Sequence, residues 1–222
     1  MALQGTVIRT IFQTAGSFGA AFDTLCQMSG ITPEEVSDSE KMVEWEKAAL
    51  IWVPLEKLSG DPLIGLHVGM ETKTLVQGMV GFLIQSCRNL DHGLQMLSRY
   101  GQMTSPMVEY RYFVDDVATL EIRQNKLWLI KHPEPARHAN DFLLAAIVNT
   151  IAALTGKRIV PLRIELAHKM REITEYQKFF GCEVLFNRDV NRIVLNKRDI
   201  AVPLLTSDQS MLQLFNTIVA DK

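Results

Sequence analysis

The hydrophobic period of this chain first changes at Pro106, and no other feature constrains the fold as much. Before that point apolar residues recur at helical spacing, and after it short alternating runs interleave with helical ones. Val43, Trp45, Ala48, Ala49, Trp52, Leu55 and Leu58 lie two, three and four apart, which predicts an amphipathic helix from about Glu40 to Leu58. Pro54, inside that pattern, should kink or divide it. Upstream, in "GITPEEV", Gly30 sits where a helix would stop. Thr32-Pro33-Glu34-Glu35 then predicts a capping box with Pro at the first helical position. "TLVQGMVGFLIQSC" (74–87) is apolar on most sides and predicts a central helix. Its Gly78 and Gly81 each lower helix propensity by about 1 kcal/mol relative to Ala, which points to close packing against a neighbour. "NLDHGLQMLSRYGQM" predicts a helix capped by Asp91, with Leu94, Leu97 and Tyr100 on one face.

Beyond Pro106, "MVEYRYFV", "VATLEIRQ" and "LWLI" predict a three-stranded antiparallel meander, turning at Asp115-Asp116 and at Gln124-Asn125-Lys126. "HPEP" interrupts it, and a helix from about Ala136 to Leu154 should end at Gly156. In "IVPLRIELAH" Leu162, Ile164 and Leu166 share one strand face, with Arg163 and Glu165 on the other. Arg171 to Phe180 reads as helix, "EVLF" and "RIVL" as strands, and the segment from Asp208 as helix again. In "EYQKFFGCEVLF" Gly181 should end the helix in the left-handed conformation and Cys182 should enter the next strand as packed core. Helices followed by a sheet interleaved with helices make an α+β fold.

Composition narrows the function classes. The 222 residues carry 22% charged residues and a net charge of -2 without a Lys/Arg stripe, which argues against this chain gripping nucleic acid by itself. No apolar run approaches the roughly 18 residues of a membrane span, and the N-terminus lacks the pattern of a signal peptide. Cys26, Cys87 and Cys182 are dispersed and odd in number, so a reducing cytoplasm is expected and neither a disulfide framework nor a zinc site. His67, His92, His132, His138 and His168 have no metal-ligand spacing; His132 and His138 straddle two prolines, and His168 is expected to bond backbone. Glu34-Glu35 suits a helix's opening turn and Asp115-Asp116 suits a turn. The ten methionines are expected to fill core gaps more than to line a pocket. With no phosphate loop, nucleophile elbow or H-E-x-x-H, the residues favour a binding module over an enzyme.

An ordered series of phrases adds a resemblance. "LSGDPLIGLHVG" (58–69), "GMVGFLIQSCRNLDHGLQMLSRYGQM" (78–103), "PLRIELAH" (161–168), "EYQKFFGCEVLF" (175–186) and "DIAVPLLTSDQSML" (199–212) together resemble the N-terminal effector-sensing domain of AraC-type transcriptional regulators, of the arabinose-binding-domain type. The resemblance implies a single effector-binding and dimerisation domain over 1–222, with a helical part to about 105 and a sheet-and-helix part from about 106. The sheet it implies is twisted and mainly antiparallel, akin to that of haem-based nitric-oxide sensor domains. It further implies a cytoplasmic bacterial homodimer that takes a small-molecule effector. DNA would be read only through a C-terminal helix-turn-helix domain, of which no pattern follows Asp208, so the chain is expected to be a fragment. The Y-x-S-x-R signature of haem sensors is not present and no cofactor is expected. The resemblance supplies no ligand-contact motif. The candidate ligand-binding residues are therefore Arg99 and Tyr100, at the helix end leading into the sheet, and Glu109 and Arg111 on one face of the first strand.

Overall fold

The computed structural model describes residues 2–38, 41–72, 78–170 and 172–220. In chain order they form β1 (Ala2–Gln4), α1 (Gly5–Ala15), α2 (Phe22–Ser29), α3 (Pro33–Ser37), β2 (Met42–Glu44), α4 (Trp45–Leu50), α5 (Trp52–Ser59), α6 (Ile64–Glu71), α7 (Gly78–Gln85) and α8 (Leu90–Tyr100). Then follow β3 (Val108–Val114), β4 (Ala118–Gln124), α9 (Lys126–Lys131), α10 (Pro133–Thr155), β5 (Arg163–Glu165), α11 (Thr174–Phe180), β6 (Glu183–Leu185), β7 (Asn191–Leu195) and α12 (Gln209–Ala220). The α+β class holds. These elements fall into two compact units. One is Met1–Gly78, Thr104–Met107 and Gln124–Asn149; the other is Met79–Met103, Val108–Arg123 and Thr150–Lys222.

The first unit is a helical layer with one small surprise. β1 and β2 pair antiparallel with Leu3 opposite Val43, so the segment read as the start of a long helix is a strand. Val43 is fully buried from that strand, which gave it the apolar signature of a helical position. Glu40, the expected start of that helix, lies outside the described residues. The break between α4 and α5 falls at Ile51, one turn before Pro54. Proline lacks the N–H that would bond the carbonyl four residues back, that of Leu50. The capping box is formed: Thr32 Oγ1 accepts from the Glu35 N–H at 3.2 Å, and Glu35 Oε2 accepts from the Thr32 N–H at 2.7 Å.

"LWLI" is helix α9, not a third meander strand. Asn125 caps it, its side chain accepting from the Leu127 N–H at 2.8 Å. Trp128 is buried while Leu127, Leu129 and Ile130 stay exposed, so the run lacks the one-faced burial of a strand. α10 begins within "HPEP", because prolines in a first turn forgo N–H groups that have no helical partner there. Gly65 and Gly69, one turn apart on α6, seat against α10. A Cβ on Gly65 would lie 2.2 Å from the His138 carbonyl oxygen, and one on Gly69 would lie 2.6 Å from that of Phe142. Close helix packing at glycines is found at this pair; 73–77, in the segment that holds Gly78 and Gly81, lie outside the described residues.

The second unit is built on a five-stranded sheet in the order β3-β4-β7-β5-β6. β7 is antiparallel to both β4 and β5, and β5 is parallel to β6, so the sheet is mixed. Leu120, Ile193, Ile164 and Val184 stand in register across four strands and are all buried. Leu166 is buried too, but Leu162 lies outside the strand and is 45% exposed. α8 covers the edge strand β3. Its Ser98 hydroxyl donates to the Tyr110 carbonyl at 3.1 Å and accepts from the Tyr112 N–H at 3.2 Å. Two free edge groups are thereby closed against pairing with another chain.

The cap of α8 is Asn89, which accepts from the His92 N–H at 3.0 Å, rather than Asp91. Asp91 instead takes the Tyr112 hydroxyl at 2.8 Å. α7 buries Val80 and Leu83 but leaves Phe82 52% exposed, so it is not enclosed on all sides. α11 starts at Thr174; Arg171 lies outside the described residues. Gly181 ends α11 at φ 70° as expected, and Cys182 is half-buried rather than core. His168 accepts from the Asn187 N–H through its own carbonyl, and its ring lies against Phe186 and Tyr176.

Candidate functional site

The four residues singled out in the sequence form two separate pairs in the second unit. α8 ends at Tyr100 with Leu94, Leu97 and Tyr100 buried on one stripe, as 3.6-residue periodicity requires. Arg99, the next position round the helix, is exposed, and its guanidinium lies 5.1 Å from the Tyr100 ring centroid. That is within range of a cation–π contact. The Tyr100 hydroxyl reaches the side-chain oxygen of Asn216 on α12 at 3.4 Å. Phe82 of α7 stacks on Phe215 of α12 with centroids 5.5 Å apart. α12 is thus joined to the end of α8 by one polar contact and to α7 by one aromatic contact.

Glu109 and Arg111 sit on the other side of β3. Successive strand residues face opposite ways, and Tyr110 and Tyr112 are the pair turned to α8: Tyr110 is buried and Tyr112 bonds Asp91. Glu109 and Arg111 form a 2.7 Å ion pair, and that contact raises the Arg111 pKa further. They open a charged face that continues across the sheet. Arg192 of β7 donates to Glu121 of β4 at 2.9 Å and to Glu165 of β5 at 2.7 Å, with Asp189 at 3.0 Å. Arg123 and Arg163 complete the pairing on Glu121 and Glu165. Burial opposes charge in these two carboxyls, yet the guanidinium hydrogen bonds hold both below the usual carboxylate range. The alternating signs signal mutual neutralisation. Nothing in the isolated strands "LEIR", "LRIE" and "NRIV" announces that their charges converge, since the register that joins them is a tertiary feature.

Elsewhere the chemistry is sparse. An open groove of about 590 Å³ in the first unit is lined by Asp23, Cys26, Ile31, Thr32 and Glu34, but the Thr32 hydroxyl there is committed to the capping box. None of the four candidate residues lines it. Among the described residues no group of three or more His, Cys, Asp or Glu could hold a metal ion, and no helix is long and apolar enough to cross a membrane. Burial pushes the thiol of Cys87 up to about 12 and that of Cys182 up to about 11, which makes both poor nucleophiles.

The family model for the arabinose-binding domain of AraC transcription regulators, N-terminal, matches residues 19–204. The chain belongs to this family. It is a ligand-sensing regulatory domain of AraC type, a non-enzymatic class. Among solved structures it is similar to the transcriptional regulator CdpR from Pseudomonas aeruginosa, with a TM-score of 0.65 at 15% identity. The match covers 96% of this chain and 65% of that one, so the chain spans about two thirds of that regulator's length, and the likeness carries the fold alone. No curated protein sequence matches the chain.

Proposed function

We propose that the chain senses a small-molecule effector at the Arg99–Tyr100 end of α8 and passes the signal through α12. The observation that carries this is the Tyr100–Asn216 contact, which ties the sensing end of α8 to the last described helix. Among the described residues Arg99 has no carboxylate partner, so an effector bearing an anionic group is the chemistry it suits. A ligand that draws Arg99 away from the Tyr100 ring, or competes for the Tyr100 hydroxyl, changes the seat of α12. Such coupling works only through differential affinity for the two arrangements.

In this reading both units act as one effector-binding and dimerisation domain of a cytoplasmic bacterial regulator, which modulates a C-terminal helix-turn-helix domain beyond Lys222. The fold is related to nitric-oxide sensor domains without using haem. The dimer role is supported by α12, which has no charged residue over its length while Met211 and Leu214 are exposed. On a two-fold axis each residue meets its own copy, so a helix without charge avoids self-repulsion there.

The test is a thermal-shift screen of small metabolites, carboxylates foremost, on the wild-type chain and on Arg99→Ala and Tyr100→Phe. A hit whose shift vanishes in both variants supports the reading. A shift kept in both but lost in Glu109→Ala and Arg111→Ala moves the site to the sheet face. Light scattering tests the dimer: Leu214→Glu should yield monomer, and a wild-type monomer at high concentration removes that role.

A further inference from the structure

His138 is 1% exposed on α10, and three helices of the first unit meet at its imidazole. From α6 the Gly65 N–H points at Nδ1 at 3.4 Å. From α5 the Glu56 carboxylate faces Nε2 at 3.3 Å, and Trp52 stacks on the ring with centroids 6.1 Å apart. The Gly65 donor assigns the tautomer: Nδ1 carries the lone pair that accepts from Gly65, which leaves the proton of the neutral ring on Nε2, where Glu56 can accept it and the neighbouring Arg137 guanidinium cannot. α6 has no room to adjust, since Gly65 already touches the His138 backbone so closely that a Cβ would overlap its carbonyl.

We infer that this contact is an acid-sensitive latch: protonation of His138 places an N–H on Nδ1 against the Gly65 N–H and loosens α6 from α10. Two donors cannot share one hydrogen bond, and a group left unsatisfied in a buried seam costs its full desolvation. The step is balanced, taking one proton from solvent onto Nδ1 and converting the neutral ring to imidazolium. The surrounding charges are mixed. Arg137, with a guanidinium nitrogen 3.2 Å from Nε2, opposes the imidazolium, whereas Glu56 and Glu134 favour it. Asp141, one turn on along α10, is paired with Arg137 at 3.5 Å. On α6 the titratable neighbour is His67, which faces Asp61 at 2.5 Å. Burial first and Arg137 second depress the His138 pKa below the ordinary histidine value. The latch is therefore closed at neutral pH and opens on the acid side. It lies in the first unit and stands apart from the effector reading at Arg99 and Tyr100.

The experiment is an NMR titration of the 222-residue chain from pH 8 to 5, following the His138 ring and the Gly65 amide, with amide exchange of α6 and α8 corrected for intrinsic chemistry. His138 and Gly65 should move with one shared midpoint below the ordinary histidine value. The opening of α6 should steepen towards about tenfold per pH unit, the limit for a single proton, while α8 stays flat. His138→Gln keeps an acceptor without titrating and should abolish the slope. Should that variant not fold, Glu56→Gln, at a half-exposed carboxylate, should move the midpoint to lower pH by removing a charge that favours the imidazolium. A flat α6 across the titration, an undiminished slope in His138→Gln, or an unmoved midpoint in Glu56→Gln overturns the latch.

Discussion

Replacing Gly65 with alanine tests the seam between α6 and α10 directly. The added methyl would sit 2.2 Å from the His138 carbonyl oxygen and 2.7 Å from its carbonyl carbon and Cα. All three are backbone atoms, so no rotamer can yield, and the helices must part by roughly 1 Å to reach ordinary contact. Overpacking of this kind costs about 1–3 kcal/mol, and a rigid backbone neighbour places it at the upper end. Loss of the Gly65–His138 hydrogen bond adds about 1 kcal/mol, and the better helix propensity of alanine returns about 1 kcal/mol. The expected net loss is about 3 kcal/mol, a large part of a domain's stability. Gly69→Ala meets the Phe142 carbonyl at 2.6 Å and the Ala145 methyl at 2.8 Å, and should cost somewhat less. Gly93→Ala on α8 is the control: its nearest neighbour would be at 3.6 Å, an ordinary contact, so it should be neutral or gain up to about 1 kcal/mol. All three tryptophans, Trp45, Trp52 and Trp128, belong to the unit that holds the seam. Urea unfolding followed by tryptophan fluorescence therefore reports on it. A Gly65→Ala protein as stable as Gly93→Ala would refute the packing argument.

The remaining expectations are local. Arg192→Met should destabilise the second unit by about 1–2 kcal/mol, because it takes from each of the largely buried carboxylates of Glu121 and Glu165 the less exposed of its two guanidinium partners. Arg123→Met, at a more exposed guanidinium, should cost under about 1 kcal/mol by the same denaturation assay. The pH dependence carries the same information. Both glutamates have depressed folded pKa values, so their contribution is complete above the unfolded carboxylate range and is lost as pH falls through the folded values. Acid unfolding should thus be less steep in Arg192→Met than in wild type. Thr32→Ala removes the α3 cap and should cost about 1 kcal/mol, visible as a lower urea midpoint. Native labelling of Cys182 at pH 7.5 should be slow for a thiol pushed up to about 11 and should accelerate on unfolding.

Local chemistry was legible wherever a residue acts on its own neighbours. Gly30, Gly156 and Gly181 all adopt positive φ at helix ends, and the Thr32–Glu35 box forms between residues three apart. What failed were segments whose conformation is decided from outside. Met42–Glu44 is two apolar residues and a glutamate, a run too short to fix either period, and pairing with β1 settles it. "LWLI" is equally ambiguous as a four-residue apolar run, and the Asn125 cap turns it into helix. Asn89 displaced Asp91 as the α8 cap because Asp91 is engaged by Tyr112 from a strand more than twenty positions away in sequence. The Gly65–Gly69 seat was visible as a spacing in "IGLHVG", but glycines that soften a helix and glycines that admit a neighbour look alike until α10 is in place.

The candidate site shows the same divide. Arg99 and Tyr100 stand at a helix end and Glu109 and Arg111 share one face of a strand; Arg99 lies over the Tyr100 ring and Glu109 pairs with Arg111, contacts that the sequence positions do not reveal. The two pairs point to opposite sides of β3, because the tyrosines between and beyond Glu109 and Arg111 take the side towards α8. That orientation separates their chemistry. On the sheet face each guanidinium already has a carboxylate, and a ligand must displace an ion pair to bind there. At the end of α8 the guanidinium rests on a ring, a contact worth about 0.5–1 kcal/mol at an exposed site, so an incoming anion has less to displace. The weaker of the two contacts is the better place for a regulated one, and it is the one that touches α12.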